Sequence, residues 1–161
     1  MKTGRKKRVK WHKMRASGFK FPEPVDWFKG ESCGSLALYA ITKISRRRLA
    51  KLFKRGHCPT EKMIGFLKKK GYVVEQITLG NTVRAHSVKG DGKPKISSRS
   101  VILLDQACYM EEDTWSVLHE GLMWHSGELE EMKPVEFINN PINDAYLIWH
   151  PDWAKKEWWD I

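Results

Sequence analysis

The chain reads as an α+β domain, with helices first and an antiparallel sheet after them. Three observations support this. Apolar residues recur at helical spacing in three stretches between residues 33 and 70, short alternating runs rich in Val, Ile, Leu and Trp follow from residue 72 on, and two of those runs meet at a tight turn, Glu120-Gly121. With 161 residues, 41% of them hydrophobic and eight Trp, the chain is long enough to bury a core of its own.

The first helix is expected from Ser32 or Cys33, where Leu36, Ala37, Ala40, Ile41 and Ile44 cover most of its circumference and Gly34 and Ser35 leave the first turn open to close approach. Ser45 is placed to cap a second, basic helix, Arg46 to Arg55, which Gly56 stops and which turns Leu49, Leu52 and Phe53 inward. A third helix starts at Pro59-Thr60, buries Met63, Ile64, Phe66 and Leu67, and ends in Lys68-Lys69-Lys70-Gly71, where cations suit the negative helix end. Strands are expected at Tyr72–Ile77, Val101–Leu104, Trp115–His119, Leu122–His125 and Ala145–Trp149. The Gly-rich stretch Lys89–Lys95 is a hairpin tip and lacks the spacing of a phosphate loop.

Composition limits the function classes. No apolar run approaches the length of a membrane span, and no apolar segment follows the basic N-terminus, so a soluble, intracellular protein without membrane contact is expected. Three cysteines, Cys33, Cys58 and Cys108, form neither a disulfide framework nor a zinc pattern, and no metal or cofactor is expected. The net charge of +10 is unevenly distributed: residues 1–70 carry 21 Lys/Arg against 4 acids, residues 105–161 carry 3 against 13. Such blocks suit either a polyanionic partner or attraction between the two halves. Arg5, Lys6, Lys7, Arg8 and Lys10 with Trp11 in the N-terminal arm, and Arg46, Arg47 and Arg48 on the second helix, are candidates for backbone-directed nucleic-acid contact, Trp11 being available to stack on a base. The arm is expected to span residues 1–24, the folded domain 25–150 and an aromatic tail 151–161. In that tail Trp153, Trp158 and Trp159 are candidates either for packing on the chain's own body or for anchoring a protein partner.

Chemistry points to Cys33. A thiol attacks only as thiolate, and the positive end of a helix is one place where that form is favoured. Cys33-Gly34-Ser35-Leu36-Ala37-Leu38, then Leu67-Lys68-Lys69-Lys70-Gly71-Tyr72, then Thr114-Trp115-Ser116-Val117-Leu118-His119-Glu120-Gly121 running on to His125, resemble in order and spacing the papain-like cysteine peptidases. Within them they resemble the compact bacteriocin-leader-processing type and its small phage-encoded relatives. The resemblance implies a papain-like fold over residues 25–150 with Cys33 as nucleophile. It also implies a catalytic histidine at the position held by Thr114 and an orienting acid at the position held by His125, while the usual oxyanion Gln has no counterpart in Asp26–Lys29. A papain-type mechanism needs an imidazole beside the sulfur and a third group to orient it. Two substitutes are open: His119, on the strand face shared with Trp115 and Val117 and oriented by Asn139 or Asn140, or His125, with Glu128 or Asn139 behind it. Two readings follow: a degenerate peptidase that acts by binding, as a virion component or host-directed factor, or an active thiol peptidase.

Overall fold

The structure, a computed structural model, describes residues 16, 18–54, 58–77, 100–106, 114–131 and 142–154. Three helices precede a six-stranded sheet: α1 (Cys33–Thr42), α2 (Arg46–Leu52), α3 (Thr60–Lys69), β1 (Val73–Ile77), β2 (Val101–Gln106), β3 (Thr114–His119), β4 (Leu122–His125), β5 (Glu128–Glu131) and β6 (Ile142–Trp149), with a short 3-10 turn at Pro151–Trp153. The strand order is β1-β6-β2-β3-β4-β5, and every neighbouring pair is antiparallel. The α+β architecture with helices laid on an antiparallel sheet is the one the sequence predicts.

α1 begins where it does because Ser32 and Ser35 cap each other. Ser32 Oγ accepts from the Ser35 amide and Ser35 Oγ from the Ser32 amide, both at 3.0 Å, which satisfies two amides the helix leaves unpaired. Its end is a left-handed Lys43 (φ 59°), whose ammonium folds back on the Ala40 carbonyl. Gly34, Leu36, Ala37, Leu38, Ala40 and Ile41 are all buried, so α1 is the central helix. It lies over β3 and β4, where Trp124 donates its indole N–H to the Leu36 carbonyl at 3.1 Å and so fixes the helix against the sheet.

α2 departs from expectation in three ways. Ser45 stands at its N-cap without a side-chain cap bond, and the helix ends at Leu52 rather than Arg55. The reason lies outside the segment: Lys62 Nζ donates to the Leu52 carbonyl and Ser32 Oγ to the Phe53 carbonyl at 2.7 Å, so the released carbonyls are satisfied by other elements. Leu52, expected inside, is 41% exposed, whereas Phe53 is buried against Phe66 of α3.

Both tight turns of the β3–β4–β5 meander use left-handed residues, Glu120-Gly121 (φ 49° and 76°) and Ser126-Gly127 (φ 53° and 84°), which match the twist of a two-residue hairpin. β5 was not anticipated. Its Glu128-Leu129-Glu130-Glu131 is mostly acidic, and it stands at the sheet edge, where charge is tolerated and discourages further pairing. Val25 crosses the second turn and donates its amide to the Gly127 carbonyl at 2.9 Å; a side chain at Gly127 would meet the Val25 carbonyl at 2.7 Å.

The core reaches past both expected domain boundaries. Ala16 and Phe19, assigned from sequence to the arm, are buried. Gly18 donates its amide to the Trp153 carbonyl at 2.7 Å, and Phe19 meets the Trp153 ring edge-on at 4.9 Å. The start and the end of the described chain are therefore packed on each other.

Candidate functional site at the head of α1

The capping pair positions Cys33 as the first residue of α1, half-buried, with helical amides around it. Two elements close on that helix end. From the segment before α3, Cys58 places its sulfur 3.5 Å from Ser32 Oγ, 3.5 Å from the Lys54 carbonyl and 3.6 Å from the Phe53 carbonyl. From β3 comes the indole of Trp115. Both press on Gly34: a methyl added there would stand 2.6 Å from Cys58 Sγ and 3.3 Å from Trp115 Cδ1. On β2, opposite Trp115 in the register, the buried carboxylate of Asp105 lies 3.5 Å from Thr60 Oγ1 on the first turn of α3. Burial pushes the Cys58 thiol above its ordinary pKa, partly offset by the Ser32 hydroxyl and the Lys62 cation, so at neutral pH it is held in its unreactive form.

β3 runs along α1 from head to tail. Trp115 touches the first turn at Gly34. Val117 pairs with Trp124, which reaches the Leu36 carbonyl and Tyr39. His119 packs edge-on against Phe19 at 4.9 Å, and Phe19 in turn lies under the ammonium of Lys43, the C-cap of α1. His119 lies four steps along the strand from Trp115, about 13 Å, nearly the length of the helix, about 15 Å for ten residues. The structure therefore sets His119 at the far end of α1 from Cys33, with Nδ1 3.3 Å from the Ser100 carbonyl and Nε2 3.7 Å from Glu120.

Alternation decides the rest. With Trp115, Val117 and Trp124 turned to α1, Thr114 and His125 lie on the opposite face of the sheet. The side chain of β3 that meets the helix head is thus Trp115, one position beyond the Thr114 to which the sequence resemblance assigned the base. His125 does stand at the same end of the sheet, across from Ser116 and Glu128, where it lines an open cleft of about 440 Å³ with Pro24, Asp26, Trp27 and Glu128. Asn139 and Asn140 lie outside the described residues.

Behind the helix head, Glu31 is buried and holds Arg46 by two hydrogen bonds, one from Nε at 3.0 Å, while Arg46 also donates to the Asp26 carbonyl at 2.5 Å. This pair raises the guanidinium pKa, the Glu31 hydrogen bond being the main cause. Arg46, predicted to meet a polyanion, is thereby committed to the fold; Arg47 and Arg48 are exposed. Trp153, predicted as either packing group or anchor, is the former: it is buried against Phe19 and Tyr72. Arg5, Lys6, Lys7, Arg8, Lys10, Trp11, Trp158 and Trp159 lie outside the described residues. Among the described residues no group of three His, Cys, Asp or Glu is placed to hold a metal, and no helix is long and apolar enough to cross a membrane.

No protein-family profile and no curated protein matches the chain. Among solved structures it is similar to the crystal structure of the peptidase domain of Streptococcus ComA, a bifunctional ABC transporter involved in a quorum-sensing pathway. The TM-score is 0.56 at 12% identity, covering 80% of this chain and 98% of the other. The fold is papain-like. At that identity the likeness carries the fold alone.

Sequence reasoning missed Cys58 and Trp115 as neighbours of Gly34 at the head of α1. For Trp115 a signal was present: the alternation that groups Trp115, Val117 and His119 makes that bulky face the one to be buried under the helices. For Cys58 there was none, because its approach to α1 depends on how the segment before α3 docks.

Proposed function

We propose that this chain is a papain-like domain that has lost the peptidase step and acts by binding. The observation that carries the reading is Trp115. In a papain-type reaction the group on the sheet facing the thiol must accept its proton and then deliver it to the leaving amine. An indole N–H donates only and has no lone pair to accept a proton. Trp115 packs at the helix head and His119 packs against Phe19 beside the C-cap of α1, and this placement supports the reading that His119 is not the base for Cys33. The short motifs shared with small phage-encoded relatives support a setting in a virion or against a host target. A peptidyl vinyl sulfone, which needs an activated cysteine–histidine pair, is expected to leave Cys33 unmodified under conditions where iodoacetamide alkylates it. Stoichiometric vinyl sulfone labelling of Cys33 would overturn the reading.

A competing reading, an active thiol peptidase with His125 as base, is favoured by one fact: His125 lies at the same end of the sheet as the helix head. It requires the imidazole to act from the face opposite α1. Peptide cleavage abolished equally by Cys33→Ala and His125→Ala would establish it, and cleavage indifferent to either substitution would dispose of it.

A further inference from the structure

We infer that the α2–α3 face is a docking surface for the phosphate backbone of a nucleic-acid duplex. From residue 46 to residue 70 the sequence carries ten Lys/Arg against a single acid, Glu61. The fold spends little of this charge internally. Arg46 is paired with Glu31, but Arg47, Arg48, Lys51 and Lys54 on and after α2, and Lys62, Lys68, Lys69 and Lys70 on α3, are all exposed. The two helices meet where the end of α2 touches α3. Phe53 at the end of α2 packs edge-on against Phe66 of α3 at 5.1 Å, Lys62 lies over the Phe53 ring at 4.8 Å, and Lys70 lies over the Phe66 ring at 5.6 Å.

Among the described residues, the acids of β5 stand away from this charge. α3 packs on β1, at one edge of the sheet, while Glu128, Glu130 and Glu131 of β5 stand at the other edge. Among the described residues the acids on the basic side are Glu61, Glu75 of β1, Asp152 beside Tyr72, and Glu31 and Asp26, which are taken up with Arg46. A polyanion meeting this surface releases its counterions, which gives affinity without sequence preference. The shape favours a duplex over a single strand. Single strands are held by stacking on exposed rings, and among the described residues the large exposed apolar side chains are Leu52 and Trp27, only the first of them on these helices. The rings that are present there, Phe53 and Phe66, are covered by lysines.

This inference rests on the binding half of the reading above and not on the loss of a base, so alkylation of Cys33 tests one and salt-dependent binding tests the other. The experiment is a fluorescence-anisotropy titration of the full chain against a short DNA duplex over a range of salt. It compares the parent with Arg47→Gln/Arg48→Gln/Lys51→Gln/Lys69→Gln and with the charge-keeping Arg47→Lys/Arg48→Lys/Lys51→Arg/Lys69→Arg. Each phosphate contact contributes about 0.9 to the slope of log K against log salt. The neutral variant is expected to lose at least about two from that slope while its circular dichroism stays unchanged, and the charge-keeping variant to retain it. A slope unchanged by the neutral variant would overturn the proposal, as would polyglutamate displacing the duplex at equal charge concentration, which indicates an acidic protein partner. Tighter binding of a single strand of the same length would overturn the choice of a duplex.

Discussion

Gly34→Ala probes how tightly the head of α1 is packed, and therefore how much room surrounds Cys33. The added methyl would stand 2.6 Å from Cys58 Sγ, 2.8 Å from Cys58 Cβ and 3.3 Å from Trp115 Cδ1. Carbon contacts settle at about 3.5–4.0 Å, so the first two are far too short. Cys58 Cβ is one bond from the backbone and cannot rotate away, so the segment ahead of α3 must shift. Overpacking of this kind costs about 1–3 kcal/mol, against a gain of at most about 1 kcal/mol for replacing a helical glycine by alanine. The net expectation is a loss of about 1–2 kcal/mol in urea unfolding. Cys58→Gly removes both short contacts, so the double variant should be more stable than the sum of the single effects by about 1–2 kcal/mol, the coupling of two residues in direct contact. A Gly34→Ala variant that is stabilised by about 1 kcal/mol, as at an open helical position, or a strictly additive double variant, would place Cys58 away from α1 and refute the crowded site.

Glu31→Ala strands Arg46, removes an acceptor from the Phe28 amide at 3.1 Å, and should cost about 2–3 kcal/mol in the same assay, below the full price of a broken buried pair because Arg46 is partly solvated; a loss under about 0.5 kcal/mol would contradict the geometry. Cys58 should react with iodoacetamide more slowly than a free cysteine peptide at pH 8, its thiol being pushed up by burial, and equal rates would count against its enclosure. Tyr72, half-buried with its hydroxyl donating to the Ile41 carbonyl of α1 at 3.4 Å and next to Asp152, has its pKa raised to about 12, burial being the larger cause. The unfolded phenol titrates near 10, so the unfolded chain loses this proton first: the contribution to stability is present below about pH 10 and is lost as pH rises toward 12. The ultraviolet difference spectrum between the parent and Tyr72→Phe should show that late titration, and a midpoint at 10 would refute it.

The helices and central strands were legible because their signals are local. Ser32 and Ser35 announce the start of α1, and Glu120-Gly121 announces a hairpin. What was not legible depended on distant partners. α2 stops three residues early because Lys62 and Ser32 take its last carbonyls, and neither lies within the helix. β5 carries three glutamates in four residues and is a strand only because β4 is there to pair with it. The candidate site was half legible: Cys33 could be read from its helix, but the side chain opposite it required the sheet face to be known. A one-residue difference, Trp115 for Thr114, changes which side chain packs against Gly34 at the head of α1. His119 illustrates the converse, since it shares the correct face but lies four residues too far along the strand.

The central proposal is that no histidine of the β3–β4 hairpin serves as base for Cys33. The most direct test is the rate of Cys33 alkylation by iodoacetamide, resolved by peptide mass from pH 5 to 9, in the parent, His119→Ala and His125→Ala. The account predicts three superimposable pH profiles. A profile that falls tenfold at acidic and neutral pH in either variant would show an imidazole sustaining the thiolate, and would contradict it.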